Sequence, residues 1–236
     1  MRPSKLLWRR RWPLRAASLA EMARVRVNEI FHSIQGESTW AGSPCVFVRL
    51  TGCNLRCTWC DTEYAFYEGN QMEIAEVAAK VDSFNCGLVE ITGGEPLLQQ
   101  GVHPLIALLL ARGHHVMIET SGERDISMID ARVTRIVDLK CPGSGESARN
   151  RWSNLEHLRP DDELKFVLSD RRDYEWARDA IRTHGLSERV KAVLLSPVFG
   201  KLEASDLAAW ILADGLSVRM QLQMHKHIWS PTARGV

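Results

Sequence analysis

The chain predicts an α/β fold built on a parallel sheet, and three observations carry that expectation. From Val25 onward, short apolar runs of strand length alternate with stretches of helical periodicity. Strand, helix, strand repeated along one chain argues for a parallel sheet with right-handed crossovers. The 236 residues suit one domain with a sizeable core. Glycines also stand where a strand run ends, as in Leu88-Val-Glu-Ile-Thr92 followed by Gly93-Gly94-Glu95-Pro96. There backbone can approach a ligand closely, at the edge where such folds bind their ligands.

Cys45–Leu50 opens the expected parallel set with Cys-Val-Phe-Val-Arg-Leu, and the helical pattern Met72–Val81 follows. Leu88–Thr92 reads as a buried strand, and His103–Ala111 as the apolar helix that brings the chain back. His115–Glu119 and Arg135–Leu139 are two further apolar runs of strand length. Cys141–Asp162, carrying Gly, Ser and Pro with little periodicity, is expected to be largely loop, so the helical cover looks thin. Glu163–Leu168, helix Asp173–Thr183, Lys191–Leu195, helix Ala204–Ala213 and Ser217–Leu222 complete the alternation.

Charge and cysteine usage bound the functions open to the chain. A net charge of +1 gives no nucleic-acid footprint. Residues 1–20 hold Arg2, Lys5, Arg9, Arg10, Arg11 and Arg15 and no acid, so the rest is mildly acidic. Residues 1–24 are expected to be a basic extension, disordered or an artefact of an early start codon, ahead of one domain over 25–236. Leu105–Ala111, the longest apolar stretch, falls far short of the ~18 residues a membrane span needs. Six cysteines without a disulfide framework fit a reducing compartment, here the cytoplasm. Cys45, Cys86 and Cys141 are dispersed and expected to pack as small hydrophobes.

Cys53, Cys57 and Cys60 are clustered as CxxxCxxC in Gly52-Cys-Asn-Leu-Arg-Cys-Thr-Trp-Cys-Asp61. One short loop thus delivers three thiolates and no fourth. A structural zinc wants four ligands, whereas a 4Fe-4S cluster held by three thiolates keeps one iron open for chemistry. A zinc site completed by a distant His or Asp, or three packing cysteines, are the other readings of the triplet. The Gly-Gly-Glu-Pro turn alone reads as plain connection.

Together the two motifs resemble the radical S-adenosylmethionine (SAM) superfamily. Asn28-Glu-Ile-Phe-His-Ser-Ile-Gln-Gly-Glu37, the Cys60-Asp61-Thr62 step and Gln221-Leu-Gln-Met-His-Lys-His-Ile-Trp229 extend the resemblance to its 7-carboxy-7-deazaguanine synthase family, over about Val25 to Trp229. That resemblance implies an incomplete parallel (β/α) barrel of the radical SAM type with about six core strands, and the cysteine loop at the strands' C-terminal mouth. It implies conversion of 6-carboxy-5,6,7,8-tetrahydropterin to 7-carboxy-7-deazaguanine with loss of ammonia, a step towards queuosine. The cofactors implied are one 4Fe-4S cluster, S-adenosylmethionine and Mg²⁺. The implied partners are the small pterin substrate, an electron donor such as flavodoxin or ferredoxin and a possible second copy of the chain, with no direct nucleic acid and no membrane.

Residue by residue, the resemblance makes Cys53, Cys57 and Cys60 the iron ligands and Thr62 a magnesium ligand. Trp59, Cys60, Asp61, Gly94, Glu95, Asp138, Leu139, Lys140 and Ser196 would line S-adenosylmethionine. Ile34, Gln35, Gly36, Glu37, Arg49, Thr92 and His225 would hold the substrate, with Lys226 closing the pocket. A pterin presents a guanidine-like edge of donors beside a carbonyl, which Glu and Gln can pair with, while Arg49 suits negative charge. Outside the resemblance, Thr62 reads as a helix N-cap, Trp59 as a loop anchor, Arg49 as a salt-bridged barrel residue and the His225-Lys226 pair as solvated. Two alternatives remain: an activase raising a glycyl radical on a partner protein, and a zinc-stabilised binding module.

Overall fold

The structure is a computed structural model and describes residues 23–236. Residues 1–22, most of the expected basic extension, lie outside the described residues. Nine strands form one sheet in the order β3-β1-β2-β4-β5-β6-β7-β8-β9: β1 Arg24–Ile34, β2 Pro44–Leu50, β3 Asn70–Glu73, β4 Leu88–Gly93, β5 His115–Thr120, β6 Thr134–Asp138, β7 Glu163–Leu168, β8 Ala192–Pro197 and β9 Arg219–Met220. Every pairing from β2 to β9 is parallel, and β1 and β3 run antiparallel at one edge. The sheet stays open, as an incomplete barrel does, with β2 and β4–β8 as its six longer parallel strands. β1 and β3 were not among the expected strands, and Ser217–Leu222 contracts to the two residues of β9.

Helices α1 Ile74–Asp82, α2 Val102–Ala111, α3 Arg171–His184 and α4 Ala204–Asp214 fill the crossovers, and a short α5, His225–Ile228, follows β9. Glu73 and Glu76 form a reciprocal capping box at the start of α1, and the Asp170 side chain accepts from Asp173 N at the start of α3. Both satisfy amides that a helix start leaves open. Residues 141–162 contain only short helical turns, so cover is absent there, as the composition implied. No helix of the described residues is long and apolar enough to cross a membrane.

Side chains alternate across a strand, so each strand divides its residues between two environments. Val46, Val48, Leu50, Val89, Ile91, Val116, Ile118 and Val137 share one face and join the helices in the main core. The other face is apolar only at its lower end, where Cys45, Phe47, Leu88, Met117 and Ile136 pack together with Phe31 and Trp40. The β1–β2 loop closes that end. Thr39 donates to Glu163, the first residue of β7, Trp40 stacks 4.6 Å from His115, the first of β5, and the Lys191 ammonium lies over the Trp40 ring. Cys45 and Cys141 are buried and Cys86 packs against both cores, in keeping with the expected packing role.

Candidate active site

Above the apolar floor, the inner face opens into a cavity of about 670 Å³ at the C-terminal ends of the strands. The cysteine loop follows β2 and forms one wall, with Cys53, Cys57 and Cys60 all on the lining. Three neighbouring segments brace it. Thr58 donates through N to Ser144 O (3.0 Å) and through Oγ1 to Gly143 O (2.8 Å). Arg56 N donates to Glu146 and the Asn54 amide to Glu123. The Gly93-Gly94 turn lies directly against the loop: a Cβ on Gly94 would sit 2.2 Å from Gly52 O and 2.7 Å from Cys53 Cβ, so only glycine fits. Gly93 has φ +148, and a Cβ there would meet Leu50 O at 2.2 Å.

Burial pushes the Cys57 thiol up to about 11 and raises Cys53 and Cys60, while the Lys140 ammonium pulls all three the other way. Burial would lower Lys140, but the Asp138 carboxylate at 2.7 Å and the Cys57 sulfur outweigh it and hold the ammonium charged. A cation beside three thiolates suits an electron-rich iron–sulfur group. Among the described residues no group of three or more His, Cys, Asp or Glu converges on a point that would hold a single metal ion.

Deeper in the cavity, a charged layer sits on the inner face. Lys165 on β7 bonds Glu37 at 2.5 Å and Glu119 on β5 at 2.6 Å. Glu90 on β4 accepts from the Gln35 amide, whose carbonyl in turn accepts from Glu37 N. Three carboxylates thus surround one ammonium, and like charges in an enclosed site cannot all ionise freely. Burial would raise Glu37, but Lys165 outweighs it and holds that carboxyl low. Glu90 is pushed well up by burial and then by Glu119 and Glu37, and Glu119 is raised by burial as well. The layer therefore favours an ionised Glu37 and shifts Glu90 towards its neutral form.

The opposite rim comes from the end of the chain. Met224 N donates to Gly36 O, and a Cβ on Gly36 would collide with the His225 ring at 2.5 Å. Lys226 bonds Asp61 at 2.6 Å, and Gln223 reaches both Glu37 and Asp61. Desolvation would raise Asp61, but Lys226 and the Thr62 hydroxyl, which donates to it at 2.8 Å, hold it well below the usual carboxylate range. His225 is lowered by burial and stays neutral at neutral pH. Residues 231–236 also line the cavity, with the Arg234 guanidinium 3.8 Å above the Tyr64 ring.

Of the residues expected in the site, Ile34, Gln35, Gly36, Glu37, Arg49, Cys53, Cys57, Trp59, Cys60, Asp61, Thr62, Thr92, Gly94, Asp138, Lys140, His225 and Lys226 all line this one cavity. Glu95, Leu139 and Ser196 do not. The Glu95 carboxylate is fully buried and accepts from Thr120 Oγ1, Ser121 N and Oγ and Leu97 N, which pins the Gly-Gly-Glu-Pro turn to the end of β5. Leu139 belongs to the outer core. Ser196 is buried with its Oγ unpartnered, as is Asp138 Oδ1, and of the two only Asp138 lines the cavity, so its free oxygen is the one open to a ligand donor. Thr62 precedes a short helical turn but makes no cap hydrogen bond, so its hydroxyl is not spent on the backbone. Arg49 lines the cavity and makes the salt bridge expected of a barrel arginine, donating to Glu29 at 2.7 Å between the Phe31 and Tyr64 rings.

Sequence reasoning missed Lys165, Glu90 and Glu119. The available signal was a lone charge inside an apolar strand run, as in Leu88-Val-Glu-Ile-Thr92 and Glu163-Leu-Lys-Phe-Val-Leu168. Such a charge survives only where it is paired or faces a ligand.

Comparison with known proteins matches residues 47–141 to the radical SAM superfamily. A 7-carboxy-7-deazaguanine synthase from Koribacter versatilis (strain Ellin345) is 50% identical over 90% of this chain and 100% of the relative. One from Chlorobaculum tepidum is 46% identical over 91% of this chain and 98% of the relative. Among solved structures, QueE from Escherichia coli superposes with a TM-score of 0.67 at 24% identity, covering 86% of this chain and 95% of that one, which shows a shared fold.

Proposed function

The chain belongs to the 7-carboxy-7-deazaguanine synthase family of the radical SAM superfamily, and from that premise we propose that its cavity converts 6-carboxy-5,6,7,8-tetrahydropterin to 7-carboxy-7-deazaguanine and ammonia. The superfamily implies a 4Fe-4S cluster and S-adenosylmethionine. One observation carries the reading: the three-cysteine wall and the carboxylate layer face each other across a single cavity of about 670 Å³. That volume falls in the range of small-molecule sites. A glycyl-radical activase is not favoured, because relatives matching nine-tenths of the chain carry the synthase name.

The residues fit both cofactors. Cys53, Cys57 and Cys60 would hold three irons, with Lys140 offsetting their charge. The backbone of Gly94 and the unpartnered Asp138 Oδ1 would take the zwitterionic and ribose groups of S-adenosylmethionine. When bound, this pair supplies hydrogen abstraction from an unactivated C–H bond, and the protein supplies binding, orientation and exclusion of water.

Glu37, ionised and set by Lys165 and Gln223, would receive the donor edge of the pterin, with Gln35 beside it. Thr92 on the inner face of β4 and neutral His225 would flank the ring. Arg49 and Lys226 would supply positive charge for the substrate carboxylate. The Lys226–Asp61 pair ties α5 to the cysteine loop and so joins the two sides of the cavity rim. Ring contraction with loss of ammonia needs a reacting carbon held still and kept dry, which these contacts provide.

Finer points belong to the same proposal. Thr62 Oγ1 offers a hard oxygen for Mg²⁺, completed by the substrate carboxylate and water, because Mg²⁺ keeps oxygen ligands and is commonly held by few protein groups. The reaction calls for a one-electron donor of the flavodoxin or ferredoxin kind, and a homodimer is the expected assembly. Residues 25–236 form the catalytic domain and the basic segment before them an appendage. The test is anaerobic reconstitution, then incubation with the carboxytetrahydropterin, S-adenosylmethionine, a reductant and Mg²⁺, followed by mass detection of 7-carboxy-7-deazaguanine. A reconstituted, SAM-cleaving protein that forms none of it would overturn the substrate assignment.

A further inference from the structure

Asp173, in the first turn of α3, is a carboxylate with only 1% of its surface exposed. Its hydrogen-bond donors are Gly143 N (2.7 Å), Ser169 N (2.9 Å) and Ser169 Oγ (2.7 Å), none of them a cation. Burying a charge without a counter-ion is costly unless hydrogen bonds fill its lone pairs, so the contacts it makes deserve a function. Asp173 draws two otherwise separate segments together: the β7–α3 connection through Ser169, and the turn Pro142–Ser144 after β6 through Gly143. The approach is close, since a Cβ on Gly143 would lie 2.6 Å from both Asp173 Oδ2 and Ser169 Oγ.

That turn is what the cysteine loop leans on. Thr58, between Cys57 and Cys60, donates its Oγ1 to Gly143 O at 2.8 Å and its N to Ser144 O at 3.0 Å. The rest of the turn is bonded to itself, Ser144 N and Oγ to Cys141 O and Gly145 N to Pro142 O, and so gains no anchorage from those bonds. Pro142 and Gly143 face solvent between buried Cys141 and Ser144, and Asp173 is the buried carboxylate that holds the exposed Gly143 by its amide. One residue therefore connects α3 to the cysteine loop: Asp173 holds Gly143 by its amide N–H, and the Gly143 carbonyl holds Thr58.

We propose that Asp173 is a positioning residue for the cysteine loop, acting through Gly143 and Thr58 to set the placement of the thiolates for an iron–sulfur cluster. This rests on the radical SAM reading of the site. Losing an outer-shell partner that orients metal ligands typically weakens metal retention by about 10–100-fold.

The test uses the full reconstituted chain, measuring iron release to a chelator, the electron paramagnetic resonance spectrum of the reduced cluster, and thermal melting. Asp173→Asn, which turns one acceptor into a donor, should release iron faster by about tenfold or more and broaden or shift the spectrum. Thr58→Val removes only the Oγ1 bond and should give a smaller acceleration with parental melting. Combining the two should cost less than the product of the separate effects, since both act through Gly143. Tyr174→Phe, on the same helix, loses the bonds to Trp210 O and Asp214 without touching the turn, so it should lower melting and leave iron release unchanged. Should Asp173→Asn not fold, Thr58→Val against Tyr174→Phe still decides: parental iron release in Thr58→Val overturns the proposal. So do multiplicative effects in the double variant, or a Tyr174→Phe protein that loses iron as fast as Asp173→Asn. A parent chain that takes up no iron and sulfide overturns the site reading itself and the proposal with it, and its own metal content tells that failure apart.

Discussion

The two faces of the same strands do opposite work. On β4 the outward Val89 and Ile91 are fully buried among helices, while the inward Glu90 and Thr92 look into the cavity. Alternate residues thus serve stability and chemistry with one backbone between them. The outer face is close to uniformly apolar, and its burial supplies the main stabilising term. The inner face carries Arg49, Glu90, Glu119, Asp138 and Lys165, a set that costs desolvation and is tolerated because pairing and the outer core offset it. Parallel strands buried on both faces need not read as continuous apolar runs when one face borders a ligand cavity.

The largest test of this division is loss of a proposed iron ligand. Cys57→Ala should abolish turnover and cluster uptake with little change in folding, whereas Cys86→Ala, outside the cavity, should keep both. Iron and sulfide content beside product formation checks it, and an active Cys57→Ala protein would break the comparison. On the outer face, Ile91→Ala removes a fully buried side chain and should cost about 3 kcal/mol of stability while the folded fraction keeps its cluster, measured by denaturant unfolding and iron content.

Thr62→Ala lies on the cavity wall and in neither core. It should keep the cluster and S-adenosylmethionine binding, weaken pterin binding, lower turnover by about a hundredfold and blunt the response to Mg²⁺, because a reacting atom misplaced by ~1 Å loses that much. Thr62→Ser should retain most activity. Unchanged turnover and an unchanged Mg²⁺ titration in Thr62→Ala would remove the ion from that residue.

A subtler effect concerns protons on the inner face. Glu90 is raised by burial first and by its acidic neighbours next, so its neutral form is the one folding favours. Its stabilising contribution is complete below the ordinary carboxylate pKa and is lost as pH climbs through the raised folded value. Glu90→Gln is neutral throughout and keeps a partner for Gln35, so it should flatten the decline of melting temperature as pH rises above the ordinary carboxylate range. An identical pH profile in the variant would show that Glu90 is ionised in the folded protein. The smallest effect is expected from deleting residues 1–21, since the first residue to line the cavity is Phe31. Cluster content and turnover should match the full chain, and a large loss would make the segment part of the domain.

Local signals determined a good deal from the sequence alone. Strand and helix periods marked six parallel strands and four helices within a few residues, because alternation is written in consecutive side chains. The cysteine loop and the Gly-Gly-Glu-Pro turn were legible because their chemistry needs groups a few residues apart. The edge strands β1 and β3 were missed: their pairing is antiparallel and β3 is short and polar, so neither shows a buried run. Only the curled sheet brought Gln223 to Glu37, 186 residues away, and set Lys165 between Glu37 and Glu119. It likewise turned the Glu95 carboxylate onto Thr120 and Ser121, and put Asp173 behind the turn that braces the cysteine loop. A strand's period tells which face a side chain takes; which charges meet on that face depends on the order in which strands pair, and so on burial summed over the whole chain.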